Sequence, residues 1–70
     1  MPKLPAVTPK QLISILKFNG FLLDHITGSH YFFYHPIKKL LTTIPFHNKD
    51  IPKGTLVAIL KQTGISRDEL

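Results

Sequence analysis

The sequence has no cysteine, no tryptophan and only four acidic residues among its 70 positions. Without cysteine there is no disulfide framework, thiolate zinc site, iron–sulfur cluster or thiol nucleophile. A domain this small that does without disulfides fits a reducing cytoplasm better than the cell exterior. No glycine-rich phosphate loop is present, and the chain is too short to pair a substrate domain with a cofactor domain. Nucleotide-cofactor oxidoreductases and P-loop enzymes are excluded, and no cofactor is expected. Long apolar runs are missing as well. Nothing approaches the ~18 residues of a membrane helix, and Met1-Pro2-Lys3-Leu4-Pro5 lacks the apolar centre of a signal peptide, so no membrane role is expected.

The shortage of acid leaves a formal net charge of +5 and a sequence pI near 9.8. Such a balance points to an anionic partner, a nucleic acid or an acidic protein. The charge is unevenly placed. Residues 1–65 hold eight lysines against Asp24 and Asp50, whereas the tail 66–70 sets Arg67 against Asp68 and Glu69. With 43% hydrophobic and 19% charged residues, the composition is that of a globular chain. Its length allows a single domain, here residues 1–70, with 1–7 as an extended lead-in and 66–70 as a tail.

Local signals divide that domain into five elements. Thr8-Pro9-Lys10-Gln11 starts a helix: Thr8 caps, Pro9 fits the first position and Gln11 completes a capping box. Leu12, Ile13, Ile15 and Leu16 follow at helical spacing, and Gly20 ends a helix over 9–19. Residues 21–27 read as a strand whose buried face is not clear, because both alternating sets are mixed. Gly28-Ser29 marks a tight turn. Residues 29–35 form an aromatic strand that Pro36 ends, and 36–39 are a turn. Residues 40–46 form a third strand with Leu40, Thr42, Ile44 and Phe46 on one face. Pro45 lacks an N–H, so this strand is expected at an edge or to break pairing at that point. After a polar loop at 47–51, a second helix runs over 52–63 with Gly64 as its stop. The order α-β-β-β-α with short connections predicts a three-stranded antiparallel meander. Two helices on one face complete a two-layer α+β domain and leave the other sheet face open.

The groups able to move protons near neutral pH are His25, His30, His35 and His47. No acidic pair has general acid/base spacing, and no serine sits in a nucleophile elbow. Three histidines five apart are not spaced as metal ligands, so no metal is expected. His30 follows Gly28-Ser29 at a strand start, where glycine permits a sharp turn and close approach of a phosphate. His47 suits a hydrogen bond in the loop before the second helix, and His35 suits the turn at Pro36. The Tyr31–Tyr34 aromatics are able to stack bases, although alternation sends about half of them inward, and packing is the simpler role for Phe32 or Phe33. Lys38 and Lys39 in a turn, and Lys49 and Lys53 near the second helix start, are candidates for phosphate contacts, with His47 beside them.

Gly20-Phe21, Thr27-Gly28-Ser29-His30, His35-Pro36, Ile44-Pro45-Phe46-His47, Lys53-Gly54-Thr55-Leu56 and Ile59-Leu60-Lys61-Gln62-Thr63-Gly64-Ile65 occur in this order. Together they make residues 8–65 resemble the HicA (YcfA-like) toxin family. The resemblance implies a fold like that of double-stranded-RNA-binding domains. It also implies an mRNA interferase, an endoribonuclease toxin of a type II toxin–antitoxin pair, neutralised by a HicB-like antitoxin. The family's catalytic histidine maps onto His30, and Gly28 and Ser29 onto the turn that presents it. The chain departs from the family in having Tyr34 and a short Ile37-Lys38-Lys39 turn where a more basic segment is common, and in its longer lead-in. RNA carries its own 2′-OH nucleophile, so such cleavage requires neither metal nor cysteine. The competing readings are a non-catalytic RNA-binding module of the same fold and a pure interaction protein whose basic face meets an acidic partner.

Overall fold

The computed structural model describes residues 4–70. Part of the lead-in, residues 1–3, lies outside them. Helix α1 (Pro9–Phe18) starts as its capping box dictates: Gln11 N–H donates to Thr8 Oγ1 at 3.1 Å, and Thr8 N–H donates to Gln11 Oε1 at 2.9 Å. Strands β1 (Leu22–Thr27), β2 (His30–His35) and β3 (Leu40–Pro45) form one antiparallel sheet in the order β1-β2-β3. Helix α2 (Lys53–Thr63) ends at Gly64, whose φ of +73° is the left-handed stop. The expected α+β order is therefore present, and Pro45 does lie on an edge strand. The tail is more ordered than its composition suggests. Arg67–Glu69 form a 3-10 turn capped by Ser66 Oγ, and Asn19 Nδ2 ties it to the end of α1 through Glu69 Oε1 at 3.0 Å.

The strand register assigns side chains to faces. Tyr31, Phe33 and His35 of β2 pair with Ile44, Thr42 and Leu40 of β3. This row meets the helices: Phe33 and Ile44 are buried with Leu12 and Leu16 of α1 and Leu56, Ile59 and Leu60 of α2. Burying each such side chain contributes about 1.5–3 kcal/mol. Thr42 enters this layer because its Oγ1 donates to Gln62 Oε1 at 2.8 Å. Among the described residues no buried side-chain polar atom lacks a partner. The lead-in joins the core as well. Val7 is buried, and its carbonyl accepts the Ile51 N–H at 2.8 Å.

The opposite sheet face carries His30, Phe32 and Tyr34 beside Pro45, Thr43 and Leu41. Strand β1 changes phase at a bulge. Leu23 pairs with Phe33 and His25 with Phe32, which leaves Asp24 as the extra residue. This shift in phase is why simple alternation gives β1 no clear buried face. Every residue of β1 is exposed. No helix among the described residues is long and apolar enough to cross a membrane.

Candidate active site

Gly28 and Ser29 form the two-residue turn between β1 and β2. Gly28 has φ +58° at the first turn position, a conformation that a side chain strains. An added Cβ there would meet nothing within 4 Å, so backbone conformation alone calls for glycine. The turn is clamped from the other side. Phe46 N–H donates to Ser29 O at 2.7 Å, extending the β2–β3 pairing beyond His30↔Pro45. Phe46 also stacks on Tyr31 with ring centroids 4.8 Å apart. His30 thus stands at the end of a strand paired on both sides, with Thr27 and Pro45 as its neighbours. It is exposed, and its ring has no hydrogen-bond partner among the described residues. That leaves the imidazole free to meet a substrate.

The chain leaving β3 at this end of the sheet carries the other candidates. His47 directly follows Phe46, and Lys49 lies in the loop that runs to α2. Lys53 is the first residue of α2, whose N-cap Pro52 supplies no side-chain cap and whose first turn has no acid. The first backbone N–H groups of this helix therefore remain available, next to a positive helix end. Lys38 and Lys39 lie elsewhere. They occupy the β2–β3 turn beyond His35, at the opposite end of β2 from His30. At ~3.3–3.4 Å per residue the two ends are about 17 Å apart. Hence the structure gathers Gly28, Ser29, His30 and, through Phe46, His47 at one end, with Lys49 and Lys53 further along the same chain, and sets Lys38 and Lys39 apart. None of these lysines forms an ion pair among the described residues.

The remaining histidines have other surroundings. His35 is the turn residue the sequence suggests, but it is also buried. Its Nδ1 accepts N–H groups from Ile37 at 3.3 Å and Lys38 at 3.0 Å, and its ring meets Phe21 edge-on at 5.1 Å. His25 belongs to a cluster that sequence reasoning misses. Its Nδ1 lies 2.7 Å from Asp24 Oδ2, and its ring stacks on Phe32 at 4.2 Å and 7°. Adjacent residues of a regular strand point to opposite faces. The bulge alone brings Asp24 and His25 together, and no residue pattern announces it. Phe33 takes the packing role, whereas Phe32 stays outside the core.

The structure therefore defines a small α+β domain that presents two exposed histidines without partners among the described residues, His30 and His47, at one end of its sheet, where a basic loop begins. The family model for HicA, the toxin of bacterial toxin–antitoxin systems, matches residues 9–65. The match runs from the first residue of α1 to the residue after Gly64, and the chain belongs to the HicA toxin family. An antitoxin partner follows from that membership. A search of curated proteins gives no match.

Proposed function

We propose that this protein is a metal-independent mRNA endoribonuclease that uses His30 as its single general acid/base and is neutralised by a HicB-like antitoxin. The carrying observation is an exposed His30 with an unpartnered ring, fixed by the Gly28-Ser29 turn and by the Phe46–Ser29 hydrogen bond. In the reaction the ribose 2′-oxygen attacks the adjacent phosphorus and the 5′-oxygen leaves. A 2′,3′-cyclic phosphate and a 5′-hydroxyl remain. The net proton movement is from the 2′-oxygen to the 5′-oxygen, and one imidazole carries it by taking the first proton or supplying the second. Such help is worth about 10²–10⁴-fold. Charge building on the phosphorane is a separate matter, which this reading assigns to Lys49, Lys53 and the first α2 amides. His47 and the more distant Lys38 and Lys39 would serve RNA binding.

The apolar side chains left open along β1 and at the end of α1 suit the antitoxin. Leu22, Leu23 and Ile26 of β1 are 48%, 41% and 49% exposed, and Phe18 is 87% exposed. A partner covering β1 would bury these groups and sit against the strand that leads into the Gly28-Ser29 turn. Opposite charge on it would speed association with a +5 chain. A cytoplasmic setting agrees with a cysteine-free sequence and an mRNA substrate.

Incubation with a long single-stranded RNA in EDTA, beside the His30→Ala protein, tests the reading. Fragments from the wild type alone are expected. Equal cleavage by both proteins removes His30 from the chemistry. Intact RNA with both, in folded samples, replaces the ribonuclease by an RNA-binding module.

A further inference from the structure

The Asp24–His25–Phe32 cluster has no part in the chemistry assigned to His30, yet it lies beside it. The register puts Thr27, His30 and Pro45 in one cross-strand row and His25, Phe32 and Thr43 in the next row on the same face. Phe32 is two residues beyond His30 along β2, about 7 Å. Two flat rings, nearly parallel, therefore stand one row from His30. An exposed imidazole does not hold one orientation without cause. Here Asp24 Oδ2 takes up Nδ1 at 2.7 Å, and the Phe32 ring backs the plane at 4.2 Å. The side chains of His25 and Asp24 stay 53% and 58% exposed, so the assembly is open to a ligand.

These residues line an open groove of about 470 Å³ that continues past Thr43 to Thr55 and Gln62 of α2. That is within the ~300–1,000 Å³ typical of small-ligand sites. With Nδ1 bonded to Asp24, His25 keeps Nε2 as the free edge of its ring. The groove thus offers a stacking plate and a ring nitrogen. A planar heterocycle with a hydrogen-bonding edge meets both.

We infer that the open end of this groove is a subsite for one unpaired nucleobase of the RNA strand, stacked on the His25–Phe32 pair and contacted at its edge by His25. The inference rests on RNA being the substrate of the His30 site. It assigns the bases to this groove and the phosphates to the basic segment, a division common to single-strand recognition. Strand position one row from His30 makes the bound base a neighbour of the scissile linkage, so the groove sets where the strand is cut. His25 and Phe32 act here as positioning residues.

The test uses hexamers of each base, fully 2′-O-methylated so that 2′-attack is blocked, titrated into the full chain and followed by NMR of the aromatic rings. With at least one hexamer, the His25 and Phe32 ring protons shift. Binding by His25→Ala and by Phe32→Leu weakens about 5- to 100-fold, the equivalent of ~1–3 kcal/mol per stacked base. An abasic hexamer loses the difference between wild type and His25→Ala. On cleavable RNA, both variants change the pattern of cut sites. Both positions lie outside the core, and amide spectra verify that the variants fold. Wild-type binding and an unchanged cut pattern in both variants overturn the subsite, and if His30→Ala is inactive in the same experiment the ribonuclease reading stands. Ring shifts and weakened variants with no cleavage by wild type support the subsite and overturn the ribonuclease.

Discussion

Replacing Gly20 by alanine probes the joint between α1 and the β2–β3 turn. Gly20 has φ +89°, and an added Cβ would lie 2.9 Å from His35 Nε2. Two costs combine. Holding an L-residue in the left-handed region costs about 1–2 kcal/mol. The contact must also be relieved, and the imidazole is not a loose side chain. Its Nδ1 accepts Ile37 N–H and Lys38 N–H, and Phe21 packs edge-on against it. Moving the ring weakens those hydrogen bonds, at about 0.5–1.5 kcal/mol each. The expected loss is therefore roughly 2–4 kcal/mol, a large part of the ~4–10 kcal/mol that ~0.05–0.15 kcal/mol per residue gives a chain of 70. Gly64→Ala is the control, since φ is +73° but nothing lies within 4 Å of the added Cβ. It should lose only the backbone part, about 1–2 kcal/mol. Urea unfolding followed by circular dichroism measures both. In thermal melts Gly20→Ala should fall by roughly 10–25 °C, at about 4–8 °C per kcal/mol for so small a domain. Adding His35→Ala removes the obstacle, so the pair should couple favourably by more than ~0.5 kcal/mol. Equal losses for Gly20→Ala and Gly64→Ala, with no coupling to His35→Ala, would refute the reasoning.

Thr8→Ala removes the cap of α1 and should cost ~1 kcal/mol in the same urea measurement, with Gln11→Ala partly redundant because both belong to one capping box. Leu16→Ala empties a fully buried position and should cost about 2–5 kcal/mol, which brings the domain close to unfolding. Joint replacement of Lys49 and Lys53 by alanine should weaken RNA binding and flatten its salt dependence by up to ~2 in log–log slope, about 1 per phosphate contact. The same change at Lys38 and Lys39 should affect cleavage rate less, because that turn lies at the far end of β2 from His30. A larger cleavage defect at Lys38 and Lys39 would contradict this placement.

Local chemistry made most of the fold legible. The Thr8-Pro9-Gln11 start of α1, the glycine after α2 and the aromatic run of β2 all act through near neighbours, and each element appears where those residues put it. Elements end within a residue of expectation: α1 stops at Phe18, and Pro52 caps α2 instead of starting it. The turn that presents His30 was equally legible, since Gly28 answers a backbone need. Other features depend on register and distance. The Asp24 bulge is invisible to alternation, and with it the meeting of His25 with Phe32. His35 reads as a turn residue before Pro36, but its burial comes from Phe21 and from the close approach of Gly20. Whether Lys38 and Lys39 or Lys49 and Lys53 lie near His30 is a question of strand ends, which pairing decides and composition does not.

Strand β1 has a kinetic consequence. Its residues are exposed, whereas β2 and β3 hold Phe33, Thr42 and Ile44 in the core. With little burial to resist separation, β1 should open without unfolding of the rest. Its amide hydrogens should then exchange with solvent sooner than those linking β2 to β3. Each opening would release Thr27 from His30 and slacken the Gly28-Ser29 turn, so the free domain would alternate between a braced and an unbraced histidine. Any molecule that binds only the closed strand would raise protection there by mass action. An antitoxin seated on β1 would then steady the same turn whose histidine it blocks.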